Sequence, residues 1–382
     1  MTSCIKIIRS STVPQSLETF CKGVLKELSE DYEIIALSSP GEALDLVGKR
    51  EGVRTIAVPM ERHISILKDL KSLLALIKVF RKERPDMVHS MTPKAGLLCM
   101  LAAWWTKVPV RIHTFTGLVF PTSTGLKKRI LILTDRITCA CATHVIPEGE
   151  GVKNDLIENK ITRKPLQVLG YGNVRGVDMD YYTRTSEVEG MAKSLRDPEK
   201  FTFLFVGRIV RDKGINELVA AFRKLAVDNP GIRLFMVGAY EENLDPVDPL
   251  TLVAIKTDSS IVSVGRKSGT DLLAYYAASD CFVFPSYREG FPNTVLEAGA
   301  MGLPCIVTDI NGSREIISNR FNGLVVPSHD ADALYEAMKW MLDNPEKRKS
   351  MASVSREHIA AHFEQGYVRK CLLDYYREIL QQ

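Results

Sequence analysis

Cys281-Phe282-Val283-Phe284-Pro285-Ser286-Tyr287-Arg288-Glu289-Gly290-Phe291-Pro292-Asn293-Thr294-Val295-Leu296-Glu297 passes from a short apolar run, through a polar turn, into a helical pattern. An apolar run of that length, closed by a turn, reads as a strand covered on both faces, as in a parallel sheet under helices. Gly290 leaves room for a ligand beside the backbone. Pro292 or Asn293 opens the helix, and the free N–H groups of a helix start suit an anion. Glu289 and Glu297 stand with seven residues between them, which puts Glu297 about one turn inside the helix. Carboxylates accept hydrogen bonds from hydroxyl pairs, so these two suit a sugar and a ribose. The competing reading is a carboxylate pair placed at a helix start by the macrodipole alone.

Working upstream, Phe205-Val206-Gly207-Arg208-Ile209-Val210-Arg211-Asp212-Lys213-Gly214 repeats the theme. A strand ends, a glycine turns the chain, and Arg208 and Lys213 follow five residues apart before the next helix. A guanidinium and an ammonium converging at a strand's carboxyl end suit a diphosphate. Strands are read at 201–206, 233–237, 261–264, 281–285, 305–308 and 323–326, with helices at 216–227, 271–278, 294–300 and 332–342.

The first half shows the same alternation. Strands are read at 5–8, 33–37, 86–89, 110–113 and 142–146, and helices at 17–28, 64–81 and 95–106. In the helix at 64–81, Ile66, Leu67, Leu70, Leu73, Leu74 and Ile77 are spaced for one apolar stripe. Alternation of this kind implies parallel sheets with helices on both faces. The sequence therefore predicts an α/β protein of two Rossmann-like, doubly wound domains facing each other across a cleft. Residues 1–185 form one and 200–362 the other, with a polar linker at 183–200 and a terminal helix at 365–382 that packs back on the first. Ligands of such sheets bind outside the carboxyl edges of the strands.

Composition narrows the classes. Of the 382 residues, 45% are hydrophobic and 25% charged, which fits a globular protein and leaves no place for a disordered or fibrous one. Met1 to Ser10 lacks a signal-peptide core, and the apolar stretch from Ala95 to Trp105 is too short for a bilayer. Eight scattered cysteines form no C-x-x-C, so they read as buried hydrophobes in a reducing cytoplasm. Residues 1–190 carry 27 Lys and Arg against 21 Asp and Glu, the remainder 23 against 25. A basic first half favours an anionic partner.

Taken together, these motifs resemble retaining glycosyltransferase family 4, of the GT-B fold. The resemblance is dense over Phe201 to Val326, including Gly302-Leu303-Pro304-Cys305-Ile306-Val307-Thr308-Asp309 and Asn322-Gly323-Leu324-Val325. It extends to Gly176-Val177-Asp178, which is similar to the family's interdomain signature. It implies that Arg208 and Lys213 hold the donor diphosphate, that Glu297 accepts ribose hydroxyls and that Glu289 faces the transferred sugar. Gly290, Phe291, Asn293 and Thr294 would line sugar and phosphate with their amides, and Arg266 would border the base. In the family's usual account the acceptor hydroxyl attacks from the leaving-group face and a donor phosphate oxygen takes its proton. The donor implied is a nucleotide-diphosphate sugar, a uridine one by family frequency.

His89-Ser90-Met91-Thr92-Pro93-Lys94 and His113-Thr114-Phe115-Thr116-Gly117-Leu118 resemble a bacterial branch that builds lipid-linked surface polysaccharides. Thr116 stands where many members carry a histidine, which leaves His113 as the nearest candidate to meet the sugar. Ser16 or Thr12, Thr92, Lys94, Thr116 and Gly117 are the acceptor candidates, and a lipid-linked saccharide the expected acceptor. No D-x-D metal motif follows a strand, so no metal or other cofactor is expected, nor any nucleic-acid partner. The protein is expected in the cytoplasm, peripheral on the inner face of an anionic membrane. Lys127-Lys128-Arg129 is a candidate for lipid phosphates, while Trp104-Trp105 is read as core packing behind His113.

Gly170-Tyr171-Gly172-Asn173-Val174-Arg175-Gly176 imitates a dinucleotide fingerprint with the wrong spacing. An oxidoreductase would need the correct one. A sugar-nucleotide epimerase and a non-catalytic nucleotide-sugar binder of the same fold are the alternatives, and the intact Glu289, Glu297, Arg208 and Lys213 favour the transferase.

Overall fold

A computed structural model describes residues 4–61, 65–241 and 245–380. The expected helix start at Ile64 and the last two residues of the terminal helix lie outside them. The chain divides into two compact units: 1–176 with 366–382, and 177–365. The sequence placed the boundary at 185 and a linker after it. The segment Ser186–Leu195 is instead a helix of the second unit, capped by the Thr185 side chain, which accepts from the Val188 N–H.

The first unit holds β1 (Lys6–Ser10), β2 (Glu33–Ser38), β3 (Arg54–Ala57), β4 (Met87–Met91), β5 (Val110–Phe115) and β6 (His144–Pro147). All pair in parallel, in the order β3-β2-β1-β4-β5-β6. Two apolar clusters lie against the sheet, one around Ile8, Phe80 and Phe115, the other around Ile7, Leu17 and Met91. The expected helix at 17–28 is two helices, Pro14–Phe20 and Val24–Leu28, because Gly23 between them takes a left-handed φ of 76°. The terminal helix Gln365–Leu380 joins the second cluster through Leu373, Tyr376 and Ile379, and Arg377 pairs with Asp31 at 3.3 Å.

The second unit holds β7 (Phe201–Val206), β8 (Ile232–Val237), β9 (Ile261–Ser263), β10 (Cys281–Phe284), β11 (Cys305–Thr308) and β12 (Gly323–Val326). They are also parallel, in the order β12-β11-β10-β7-β8-β9. Counted from its own first strand, this sheet repeats the topology of the first. In each, the crossovers reverse direction between two central strands, β1 and β4 or β7 and β10. Loops leaving those strands diverge to opposite faces and open a crevice at the carboxyl edge.

Among the described residues no helix is long and apolar enough to cross a membrane. All eight cysteines are free, six of them buried. The stretch 170–176 forms turns, with Gly170, Asn173 and Gly176 at positive φ, and no helix lies between it and Ser186. The dinucleotide imitation is thus only a turn.

Candidate functional site

The two loops singled out by sequence leave the two strands that flank the reversal in the second unit. After β7 the chain turns at Gly207, presents Arg208, makes a tight turn at Arg211–Lys213 and enters the helix Ile215–Asp228 at Gly214. After β10 it runs through Ser286 and Glu289 into the helix Asn293–Ala300. Each helix starts at the carboxyl edge, as a parallel sheet demands.

Backbone contacts lock the loops together. The Tyr287 N–H donates to the Asp212 carbonyl at 2.9 Å, and the Ser286 hydroxyl reaches the same oxygen at 3.2 Å. Gly214 has φ +68°, and a Cβ there would stand 2.0 Å from the Pro285 carbonyl oxygen. Gly312, from the loop after β11, has φ +72° and would place a Cβ 2.4 Å from the Gly290 carbonyl oxygen. Both positions therefore need glycine.

The charged groups meet on this frame. The Lys213 ammonium pairs with Glu289, whose Oε1 also accepts from the Ser286 hydroxyl at 2.9 Å. Their side chains are 13% and 18% exposed, so water screens the pair little. Arg208 pairs with Glu241 at 2.8 Å, but with 47% and 33% exposure that contact is weak and easily exchanged for a better anion. The helix Asn293–Ala300 has Pro292 as N-cap, no side-chain cap and no acid in its first turn, so nothing of its own answers the positive end of its dipole there.

Glu297, one turn on, is 6% exposed and its Oε2 accepts from the Tyr276 hydroxyl at 3.1 Å. Burial, with Glu297 alongside, pushes the Tyr276 phenol far up, so it stays a donor. Phe291 is buried against Phe363, centroids 5.4 Å apart, whereas Thr294 is half-buried. Arg266 is exposed beyond the edge strand β9, and the neighbouring Gly265 carbonyl accepts from the Gly238 N–H at 2.9 Å. Arg208, Lys213, Glu289, Gly290 and Asn293 thus gather on two adjoining loops, while Arg266 stands two strands away.

Sequence reasoning missed Ser286, Glu241 and Tyr276. A buried tyrosine in an apolar helix needs a partner for its hydroxyl, and that was a usable signal. Nothing local marked Glu241 as the partner of Arg208.

In the first unit, the loops after β1 and β4 meet through a hydrogen bond between the hydroxyls of Thr12 and Thr92, 2.8 Å apart. The Ala95 N–H donates to the Thr12 hydroxyl at 3.1 Å. Thr92 holds φ 68° and ψ 145°, a costly conformation for a side-chain-bearing residue and typical of functional sites. Lys94 Nζ pairs with Asp69 at 2.7 Å. Ser16 lies half-buried in the helix Pro14–Phe20, and Thr116 and Gly117 are half-buried after β5, Gly117 with φ 120°.

His113 does not stand at the edge of the sheet. It is 1% exposed, 2.9 Å from the Ser90 hydroxyl, and packed so close to the helix Pro93–Trp105 that a Cβ on Gly96 would fall 2.4 Å from its Cε1. Burial drops its pKa to about 3, which leaves a neutral core imidazole. The expectation that Trp104 and Trp105 pack behind it is likewise corrected, for they are 53% and 61% exposed. A better-connected histidine is His89, whose Nδ1 faces Arg9 at 2.9 Å and whose Nε2 faces Thr114 at 2.7 Å, all buried.

Comparison with known proteins follows the same division. Residues 188–358 match the family model "Glycosyl transferases group 1", and residues 24–172 match "Glycosyl transferase 4-like domain". The chain is 30% identical to the capsular polysaccharide biosynthesis glycosyltransferase CapM of Staphylococcus aureus, over 99% of this chain and 98% of that one. It is 28% identical to an Escherichia coli UDP-Gal:alpha-D-GlcNAc-diphosphoundecaprenol alpha-1,3-galactosyltransferase, over 90% and 89%. Among solved structures, Anabaena Alr3699/HepE in complex with UDP superposes with a TM-score of 0.81 at 15% identity, covering 98% of this chain and all of that one.

Proposed function

Because the chain belongs to the group 1 glycosyl transferases and is a glycosyltransferase of surface-polysaccharide type, we propose that it moves a sugar from a uridine-diphosphate donor, held by the second unit, to a diphosphate-linked lipid saccharide, with retention at the anomeric carbon. One observation carries the reading: Arg208, Lys213, Glu289 and the start of the helix Asn293–Ala300 converge on the carboxyl edge between β7 and β10.

On this reading the donor pyrophosphate takes Arg208 away from Glu241 and lies between Arg208, Lys213 and the helix start. As the bond to the anomeric carbon breaks, negative charge gathers on the leaving diphosphate, and preorganised donors favour that state over the ground state. Glu289, fixed by Lys213 and Ser286, faces the transferred sugar. The amides of Gly290, Phe291, Asn293 and Thr294 line it, Glu297 takes the ribose hydroxyls, and Arg266 borders the base. The acceptor hydroxyl attacks from the leaving-group side and its proton passes to a donor phosphate oxygen, so no side-chain nucleophile and no metal is required. The first unit is proposed to take the acceptor around Thr12, Ser16, Thr92, Lys94, Thr116 and Gly117.

The acceptor reading draws on the E. coli relative, whose name specifies a diphosphoundecaprenol. A thermal-shift screen of nucleotide sugars, followed by transfer assays on prenyl-diphosphate saccharides, tests both halves. A bound donor at a hundredfold excess over Kd stabilises by about 2.7 kcal/mol. Equal turnover on a short soluble sugar would count against the lipid-linked acceptor.

A further inference from the structure

The helices Ile66–Glu83, Pro93–Trp105 and Gly125–Cys141 follow β3, β4 and β5, so all three begin at the carboxyl edge of the first sheet. They lie side by side on one face of that sheet, packed over the cluster of Phe80, Ala102 and Cys139. The outer side of this layer is apolar. Leu67, Leu70 and Leu74 form a stripe along the first helix, 77%, 52% and 59% exposed. Leu126, Ile130 and Leu133 form a second stripe along the third, and Trp104 and Trp105 end the middle one. Half of the large apolar side chains exposed among the described residues sit on these three helices. A patch of that kind on one layer marks an interaction surface.

Charge identifies the partner. The three helices carry ten Lys and Arg against three Asp and Glu. That accounts for the whole basic excess of residues 1–190, where 27 cations face 21 acids. Lys127, Lys128 and Arg129 crowd the first turn of the helix Gly125–Cys141, which has no acid there. Cations at the positive end of a helix dipole cost the helix stability, and an external anion relieves them. Asp135, the one acid on that helix, is driven up to about 7 by burial, so near neutrality it carries only part of its negative charge.

We propose that this layer is a docking face for an anionic lipid bilayer. The leucine stripes enter the interface, the cations meet headgroup phosphates, and the carboxyl edge with Thr12 and Thr92 is held at the depth of a membrane-borne acceptor. The face deepens the lipid-linked acceptor reading and rests on it.

The test is flotation of the full chain with vesicles of phosphatidylglycerol or of phosphatidylcholine alone, beside transfer to a short-chain prenyl-diphosphate sugar in detergent. Wild type should float with the anionic vesicles, lose most binding at 0.5 M salt and ignore the neutral ones. The variant Lys127→Gln/Lys128→Gln/Arg129→Gln should lose roughly fivefold in partitioning per cation removed. Leu70→Glu/Leu126→Glu should not float, yet keep its melting temperature and its turnover in detergent, because both side chains face solvent; Leu70→Ser/Leu126→Ser is the milder second variant. Flotation by these variants at wild-type levels, or none by wild type, overturns the proposal. So does a lipid-independent dimer dissolved by Leu70→Glu, which assigns the face to a second copy. Turnover in detergent without flotation sinks the docking face and spares the acceptor reading, whereas flotation without transfer to any prenyl-diphosphate sugar does the reverse.

Discussion

Replacing Lys213 by alanine tests the donor site most directly, because its ammonium is held in a nearly dry position. Lys213 and Glu289 are 13% and 18% exposed, and the Ser286 hydroxyl is the other donor to Glu289 Oε1. Truncation removes one charge-assisted hydrogen bond and leaves Glu289 with the weaker, neutral one. Such bonds contribute about 1.5–3 kcal/mol. If Lys213 also meets the departing diphosphate, the same range applies to the transition state, and kcat/KM should fall about 10- to 150-fold. The assay is release of uridine diphosphate under subsaturating donor, with far-UV circular dichroism and a melting curve to show that the variant is folded. Lys213→Arg should recover part of the loss, since it restores charge but not shape. A folded Lys213→Ala enzyme within twofold of wild type would refute the assignment, and the pair would then be a structural link between two loops.

Arg208→Ala should raise the donor KM and lower kcat, with little change in melting temperature, because its partner Glu241 is solvent-screened; a stability loss above about 1 kcal/mol would argue for a structural role instead. Tyr276→Phe removes a buried donor to Glu297 and should cost about 1–2 kcal/mol in urea unfolding and raise the donor KM. Gly214→Ala must clash with the Pro285 carbonyl at a left-handed φ, so it should cost more than about 1 kcal/mol and be seen as a lower melting temperature. His113 titrates near 3 when folded and near 6.5 when unfolded, so the unfolded chain binds the extra proton and stability falls as pH drops through that window. Between pH 6.5 and 5.5 this one group should account for about 1 kcal/mol, measurable as a steeper pH slope in wild type than in His113→Gln. Activity undiminished by EDTA is the expected outcome for a metal-independent transfer.

Much of the second unit was legible because its determinants are local. A continuous apolar run such as Cys281 to Phe284 fits a doubly covered strand, and turn residues at Gly207 and Gly290 can be read where the chain needs them. The helix Gly125–Cys141 escaped because its apolar residues point two ways: Leu131, Ile132 and Ile137 toward the core, Leu126, Ile130 and Leu133 toward solvent. The helix Ile66–Glu83 was found, but its period of 3.6 gave no sign that Leu67, Leu70 and Leu74 lie outside while Ser72, Leu76 and Phe80 lie inside. Periodicity reports that a face is apolar, not what covers it. The same blind spot misplaced Trp104 and Trp105, which close a helix too apolar for any face to stand out. His113 failed for the opposite reason, since a histidine near a strand's end is polar in sequence yet here fills the hollow left by Gly96. Where pattern and burial part company in this chain, an apolar surplus therefore points to a partner outside the molecule, and a buried polar group to a contact inside it.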